Sequence, residues 1–131
     1  MHVLVVDDSK AIQDSLCKLL SSLGYSVETA CNGLDAFEKA QKNKHDLYIV
    51  DHLMPLMNGV LLSKNLNNNE HCKDTPILFM STKDLEEVKQ LPERSFFSQI
   101  LAKPIQEKEL LSALEFIEES NKDGNTLSVV L

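Results

Sequence analysis

Four short apolar runs in this chain each stop at a polar group. Val3 to Val6 runs into Asp7-Asp8 and Leu47 to Val50 into Asp51. Ile77 to Met80 runs into Ser81-Thr82, and Ile100 to Ala102 into Lys103-Pro104. Unbroken runs of this length, rich in Val, Ile and Leu, are strands buried on both faces, and such strands belong to a parallel sheet. Parallel strands share one carboxyl edge. The polar groups that end the four runs are therefore predicted to meet at one place, although the sequence scatters them. In open α/β sheets that edge holds ligands where the strand order reverses.

The segments between the runs carry helical spacing. Ser9 is placed to cap a helix whose apolar residues are Ile12, Leu16, Leu19, Leu20 and Leu23, and Gly24 to end it. Tyr25 to Thr29 reads as a short second strand. Asn32-Gly33 then turns into a helix bearing Leu34, Ala36, Phe37 and Ala40. A third helix is predicted from about Val60 to Leu66, dissolving into the run Asn67-Asn68-Asn69. A polar helix follows around Asp84 to Leu91, ended by Pro92 or just before it. The fifth strand falls within Phe96 to Ala102. The last helix, about Gln106 to Glu119, lines up Leu110, Leu111, Leu114 and Ile117. Five alternations of strand and helix predict a doubly wound α/β fold: a five-stranded parallel sheet with right-handed crossovers and helices on both faces. The domain is expected to occupy residues 1–119. Residues 120–131 form a C-terminal tail, expected to be mobile as far as Leu127.

Composition narrows the function. The 131 residues carry a net charge of −7 with no cluster of Lys or Arg, which argues against a basic nucleic-acid face. Cys17, Cys31 and Cys72 form no C-x-x-C pair, and three thiols cannot all be bridged within the chain, so reduced cysteines and a cytoplasmic location are expected. No stretch approaches 18 apolar residues, the length that suggests a membrane span, so no membrane association is expected.

Three carboxylates at one strand edge need a cation. Two unit charges about 4 Å apart repel by roughly 4 kcal/mol at an effective dielectric near 20. Lys103 supplies one positive charge for Asp7, Asp8 and Asp51, and a hard divalent ion suits the remainder. Mg²⁺ fits a site with few carboxylates and several retained waters. Ser81 offers a hydroxyl donor to a phosphate oxygen, and Lys103 a point charge to another. Phosphoryl transfer needs little beyond such positioning and neutralisation, and a carboxylate such as Asp51 is able to hold a covalent acyl phosphate.

This constellation resembles the receiver domain of bacterial response regulators, the phosphoacceptor partners of sensor histidine kinases. That family has an acidic pair after its first strand, as Asp7-Asp8 stand here, and its phosphorylated Asp ends the third strand, as Asp51 does. A loop of the form D-x-x-M-P-x-M-[DN]-G follows, matched from Asp51 to Gly59. Ser81 matches the Ser or Thr of the fourth strand, and Lys103-Pro104 the Lys-Pro with a cis peptide of the fifth. The resemblance covers about residues 1 to 119. It implies the flavodoxin-like strand order 2-1-3-4-5. It also implies Mg²⁺ held by Asp8, Asp51 and the backbone carbonyl of Leu53, with Asp7 assisting, and Lys103 and the Ser81 hydroxyl engaging the acyl phosphate. The expected partners are a histidine kinase or a histidine phosphotransfer domain, plus a downstream protein target whose identity the sequence leaves open. The chain is then a signalling phosphoacceptor that catalyses only its own phosphorylation and dephosphorylation.

Several positions depart from the family pattern. Ile100 stands where Tyr or Phe is usual, which puts an aromatic rotamer switch in question. Ser98 and Gln99 replace the acidic residues of regulators that dimerise through their fourth helix and fifth strand, so a monomer or weak dimer is expected. Thr82 narrows access to the phosphoryl group, and an apolar Leu53 cannot orient an attacking water, which implies slow loss of phosphate. His52 is expected to face solvent, and His2, His45 and His71 to be surface residues without ligand spacing. Met54, Met57 and Met80 are expected to serve packing, Cys31 to fill a small, partly buried site, and Glu118-Glu119 to lie on a solvated helix face. Two rivals remain: a receiver-like protein-binding module that works without phosphate, and a phosphatase with an Asp nucleophile. The second lacks the Asp usual two residues after the nucleophile, where Leu53 stands.

Overall fold

A computed structural model of the protein describes the backbone of residues 1–130 and the side chains of residues 1–121. Five strands alternate with five helices: β1 (His2–Val6), α1 (Lys10–Ser22), β2 (Ser26–Ala30), α2 (Gly33–Lys42), β3 (Leu47–Asp51), α3 (Gly59–Asn67), β4 (Ile77–Ser81), α4 (Leu85–Lys89), β5 (Gln99–Ala102) and α5 (Glu107–Val130). A 3-10 segment, Pro92–Phe96, lies between α4 and β5. The sheet is parallel throughout, in the order β2-β1-β3-β4-β5. The predicted architecture and strand order are both present.

Strand residues alternate between two cores, as the two-residue period of a pleated strand requires. Leu4, Val6, Tyr48, Val50 and Phe79 pack on one face with Ala36 and Ala40 of α2, Leu62 and Leu66 of α3, and Val88 of α4. Val3, Val5, Leu47, Ile49, Leu78 and Met80 pack on the other with Leu16 and Leu20 of α1 and Leu110, Leu114 and Ile117 of α5. Burial on both faces explains the unbroken apolar runs.

Helix starts are fixed by side chains that accept from free backbone N–H groups. Ser9 Oγ accepts from Ile12 N at 3.3 Å and Asn32 from Asp35 N at 2.8 Å. Asn58 accepts from Leu61 N at 2.9 Å and Asp84 from Glu86 N at 2.8 Å. After α1 the chain turns at Gly24 with φ +87°, a conformation that costs glycine little.

Some boundaries differ from the sequence reading. The fourth helix closes at Lys89, and Pro92 opens the 3-10 segment instead of simply ending a longer helix. The reason is local: Leu91 precedes proline and adopts an extended φ/ψ of −64°/139°, since the proline ring disfavours the helical conformation before it. Phe97 lies before the fifth strand and is buried, stacked on Phe79 with ring centroids 3.9 Å apart. The last helix extends past the predicted Glu119. The expectation of a mobile tail falls on residues whose side chains lie outside the described ones. Cys31 is exposed, not partly buried: it lies between the last residue of β2 and the Asn32 cap of α2, outside both elements. Among the described residues no helix is long and apolar enough to cross a membrane.

Glu118 is half-buried instead of solvated and accepts a hydrogen bond from the Tyr25 hydroxyl, tying α5 to the segment before β2. Burial and that bond push Tyr25 up to about 12. Tyr48, buried in the core, is pushed higher still by its burial. A folded-state pKa above the unfolded value means stability is fully present below the ordinary value of 10.0 and drains away as pH rises toward about 12. With only two tyrosines in the chain, ultraviolet titration of the folded protein should show no tyrosinate step near 10. Tyr25→Phe should remove the first step observed above it.

Candidate functional site

The carboxyl edge of the central strands gathers the residues expected there. Asp7, just past β1, is fully buried and held from four sides. Its N–H donates to Ala30 O at 3.1 Å, and its carbonyl accepts from the Gln13 amide at 2.6 Å. Its carboxylate accepts from Ser9 N at 2.8 Å and from Lys103 Nζ at 3.0 Å. Asp51 closes β3, 5% exposed, and accepts from the same Lys103 Nζ at 3.1 Å. Asp8 is exposed beside them, and one carboxylate oxygen from each of Asp7, Asp8 and Asp51 lies within 4.8 Å of the others. Lys103 is aimed by its own backbone, whose N–H donates to Ser81 O at 2.8 Å, and the peptide to Pro104 is cis.

Burial raises the Asp51 pKa above its ordinary value; Lys103 opposes this while the charges of Asp7 and Asp8 add to it. Burial pulls the Lys103 ammonium down, but hydrogen bonds to Asp7 and Asp51 more than reverse it, so its pKa is raised. Two carboxylates thus share one ammonium with a third alongside them, and the site is short of positive charge.

The loop after Asp51 is built on a close approach. A Cβ at Gly59 would stand 2.1 Å from Asp51 O, so only glycine lets α3 begin against the end of β3. Gly59 N donates to His52 O at 2.8 Å, and His52 N to Met80 O at 2.9 Å. Leu53 and Leu56 project into solvent, 51% and 76% exposed, whereas Met57 is buried and Met54 packs partly against the core. The methionines therefore serve packing, as expected.

Ser81 is buried at the end of β4, where its hydroxyl accepts from Lys83 N at 3.0 Å. It has a second partner: His52 Nδ1 lies 2.8 Å from Ser81 Oγ. His52 therefore does not simply face solvent. Its ring is half-buried and tilted onto Phe79 at 5.1 Å between centroids, because β3 and β4 are adjacent and the pairing of Asp51 with Met80 brings the residue after β3 beside Ser81, the last of β4. Burial lowers its pKa, with Lys83 adding to the effect. Ile100 packs against the same core that holds Phe79 and Phe97. Gln13 is a site residue the sequence reading passed over. The available signal was a polar side chain at a core-facing helical position, three residues before Leu16 and seven before Leu20.

Comparison with known proteins agrees with this geometry. The profile of the family described as "Response regulator receiver domain" matches residues 3–115. Protein PilG of Pseudomonas aeruginosa is 34% identical over 115 residues, covering 88% of this chain and 85% of that protein. Response regulator MprA of Mycobacterium leprae is 36% identical over 84 residues, which are 64% of this chain and 36% of that longer protein. Among solved structures, chemotaxis response regulator CheY4 of Vibrio cholerae superposes with TM-score 0.81 at 37% identity, covering 88% of this chain and 97% of that one. Response regulator TrrA of Thermotoga maritima, solved in complex with Mg(2+)-BeF, gives TM-score 0.80 at 25% identity over 88% of this chain and 97% of that one. The chain belongs to the response regulator receiver domain family.

The excess negative charge at the site has a measurable cost. Asp51→Asn removes one of three mutually repelling carboxylates and keeps a Lys103 acceptor. In metal-free buffer at neutral pH it should stabilise the fold by about 1 kcal/mol, raising Tm by a few degrees. Differential scanning calorimetry checks this, and the gain should shrink as pH falls into the range where Asp51 itself is protonated.

Proposed function

We propose that this receiver accepts a phosphoryl group on Asp51 from a phosphohistidine of a sensor histidine kinase or histidine phosphotransfer domain, in an Mg²⁺-dependent reaction. The observation that carries the reading is the buried Asp51 carboxylate within hydrogen-bond reach of Lys103, with Asp7 and Asp8 alongside. An all-oxygen donor set short of positive charge suits a hard cation, and Asp8, Asp51 and the Leu53 carbonyl would hold Mg²⁺ with help from Asp7. The ion supplies neutralisation of phosphoryl oxygens when bound.

The chain's own residues do the rest. An Asp51 carboxylate oxygen attacks phosphorus, and the P–N bond of the phosphohistidine breaks. Its electron pair stays on the imidazole nitrogen, which then takes up a proton. Lys103 already points its ammonium at the Asp51 oxygen and is placed to pair with the incoming phosphoryl charge. Ser81, one strand away, offers its hydroxyl. The acyl phosphate then biases a two-state surface on α4, β5 and α5 toward a downstream protein. An exposed, apolar Leu53 leaves nothing at that position to orient a hydrolytic water, which favours a long-lived phosphoryl group. The free thiols fit a cytoplasmic setting, and Ser98 and Gln99 favour a monomer or weak dimer.

Incubation with acetyl phosphate and Mg²⁺ should add one phosphoryl group, read by intact-protein mass spectrometry. The adduct should vanish in Asp51→Asn and in excess chelator. Equal labelling of Asp51→Asn would remove the assignment.

The His52–Ser81 bond gives a second expectation. To engage a phosphoryl oxygen, the Ser81 hydroxyl must give up its His52 partner, a bond worth about 1 kcal/mol net. His52→Ala should therefore tighten Mg²⁺-dependent beryllofluoride binding by roughly five-fold, measured by calorimetry. Unchanged or weaker binding would show that His52 does not restrain the hydroxyl.

A further inference from the structure

The opposite, amino-terminal side of the sheet carries a separate cluster. His2 of β1, Glu28 of β2 and His45, just before β3, each offer one ligand atom, and these atoms lie within 4.8 Å of one another. The expectation that His2 and His45 are unrelated surface residues fails because β1 pairs with both β2 and β3, which brings the starts of the three strands together. His45 is buried, and its ring stacks on that of His2 with centroids 4.8 Å apart and planes 12° from parallel.

The hydrogen bonds around the cluster resemble those around metal ligands. His45 Nε2 lies 2.8 Å from Glu28 Oε1, and the Asn43 amide donates to the two Glu28 oxygens at 3.2 and 3.4 Å. His2 Nδ1 lies 2.7 Å from Ser26 Oγ. With Nδ1–H donating to that hydroxyl, Nε2 keeps its lone pair, and an outer partner of this kind commonly fixes the tautomer of a metal-bound histidine. An independent observation concerns His45 itself. Its Nδ1 is the buried side-chain polar atom that closes no hydrogen bond among the described residues, although the Asn43 backbone acts on the ring to raise its pKa. A native interior seldom leaves such a group unpaired.

We propose that His2, Glu28 and His45 form a second cation site, for a borderline transition ion such as Zn²⁺. Two imidazoles and a carboxylate are a three-ligand zinc donor set that leaves a fourth position open. Nitrogen donors favour such ions over Mg²⁺, which the all-oxygen edge suits. Donors around a tetrahedral ion with bonds near 2.1 Å stand about 3.4 Å apart, so Glu28 and His45 Nε2, now 2.8 Å apart, must part slightly and the stack of His2 on His45 must open. His2 is the side chain free to do this, being partly exposed on the first strand, while His45 stays fixed in the interior. The bound ion would tie β1, β2 and the entry to β3 together at the edge remote from Asp51.

The test uses the untagged full chain in excess Mg²⁺, titrated with Co²⁺ as a spectroscopic substitute for Zn²⁺. One equivalent should produce the intense visible bands of low-coordinate, nitrogen-ligated Co²⁺, lost on adding Zn²⁺, and Zn²⁺ should raise Tm by mass action. His2→Gln, at a partly exposed position, should weaken binding at least ten-fold with the fold intact by circular dichroism, and Glu28→Gln should do likewise. Asp8→Asn should leave the bands in place. Bands that disappear with Asp8→Asn, or that survive His2→Gln and Glu28→Gln, would overturn the proposal, as would a spectrum no different from aqueous Co²⁺.

Discussion

The ammonium of Lys103 between Asp7 and Asp51 is the contact on which the carboxyl edge depends. Its nitrogen lies 3.0 Å from one carboxylate and 3.1 Å from the other, with both acids buried. Without that charge, the ends of β1 and β3 would hold two like charges in a medium that screens them poorly. The chain spends most of its local design on placing this group. Gln13 and Ala30 lock the Asp7 backbone, Ser81 locks the Lys103 backbone, and Gly59 permits α3 to start against Asp51. The neutralisation is incomplete: one ammonium stands against the carboxylates of Asp7 and Asp51, with that of Asp8 alongside.

The sheet was legible because burial on both faces leaves a strong imprint: runs without polar interruption, each ending at a charged or hydroxyl residue. The edge residues were legible for the same reason, since parallel strands leave them no other place to go. What escaped was set by contacts across the sequence. His52 looks like any loop histidine until β3 and β4 are aligned, which brings it to Ser81. His2 and His45 stand 43 positions apart and share no motif spacing, and only the pairing of β1 with β3 unites them. Gln13 was hidden by its chemistry, a polar side chain occupying a place in an otherwise apolar helix face. In the sequence Pro92 marks only a stop, whereas in the structure it holds Leu91 extended and opens a 3-10 segment.

The aromatic side chains near the edge follow a layout of their own. Ile100 offers no ring of its own, yet rings are present nearby. His52 touches Ser81 at one side and Phe79 at another, and Phe79 stacks on Phe97 at the approach to β5. A rearrangement at the Ser81 hydroxyl would thus meet a packed column, two of whose members are fully enclosed and unable to move without disturbing their neighbours. The column leads to the 3-10 segment Pro92–Phe96, which Phe97 directly follows.

Register gives the edge a further property. Asp51 pairs with Met80, and Ser81 with Ala102, so each functional side chain sits one step beyond or at the last paired position of its strand. Because strand side chains alternate faces, one residue inserted in β3 would turn Asp51 away and send a core residue to the edge. The strands therefore act as a vernier, in which the length of each apolar run sets the aim of the group that ends it. In a chain of this kind insertions are tolerable in the exposed loops, while the counts between strand start and strand end are held fixed by chemistry at the far end.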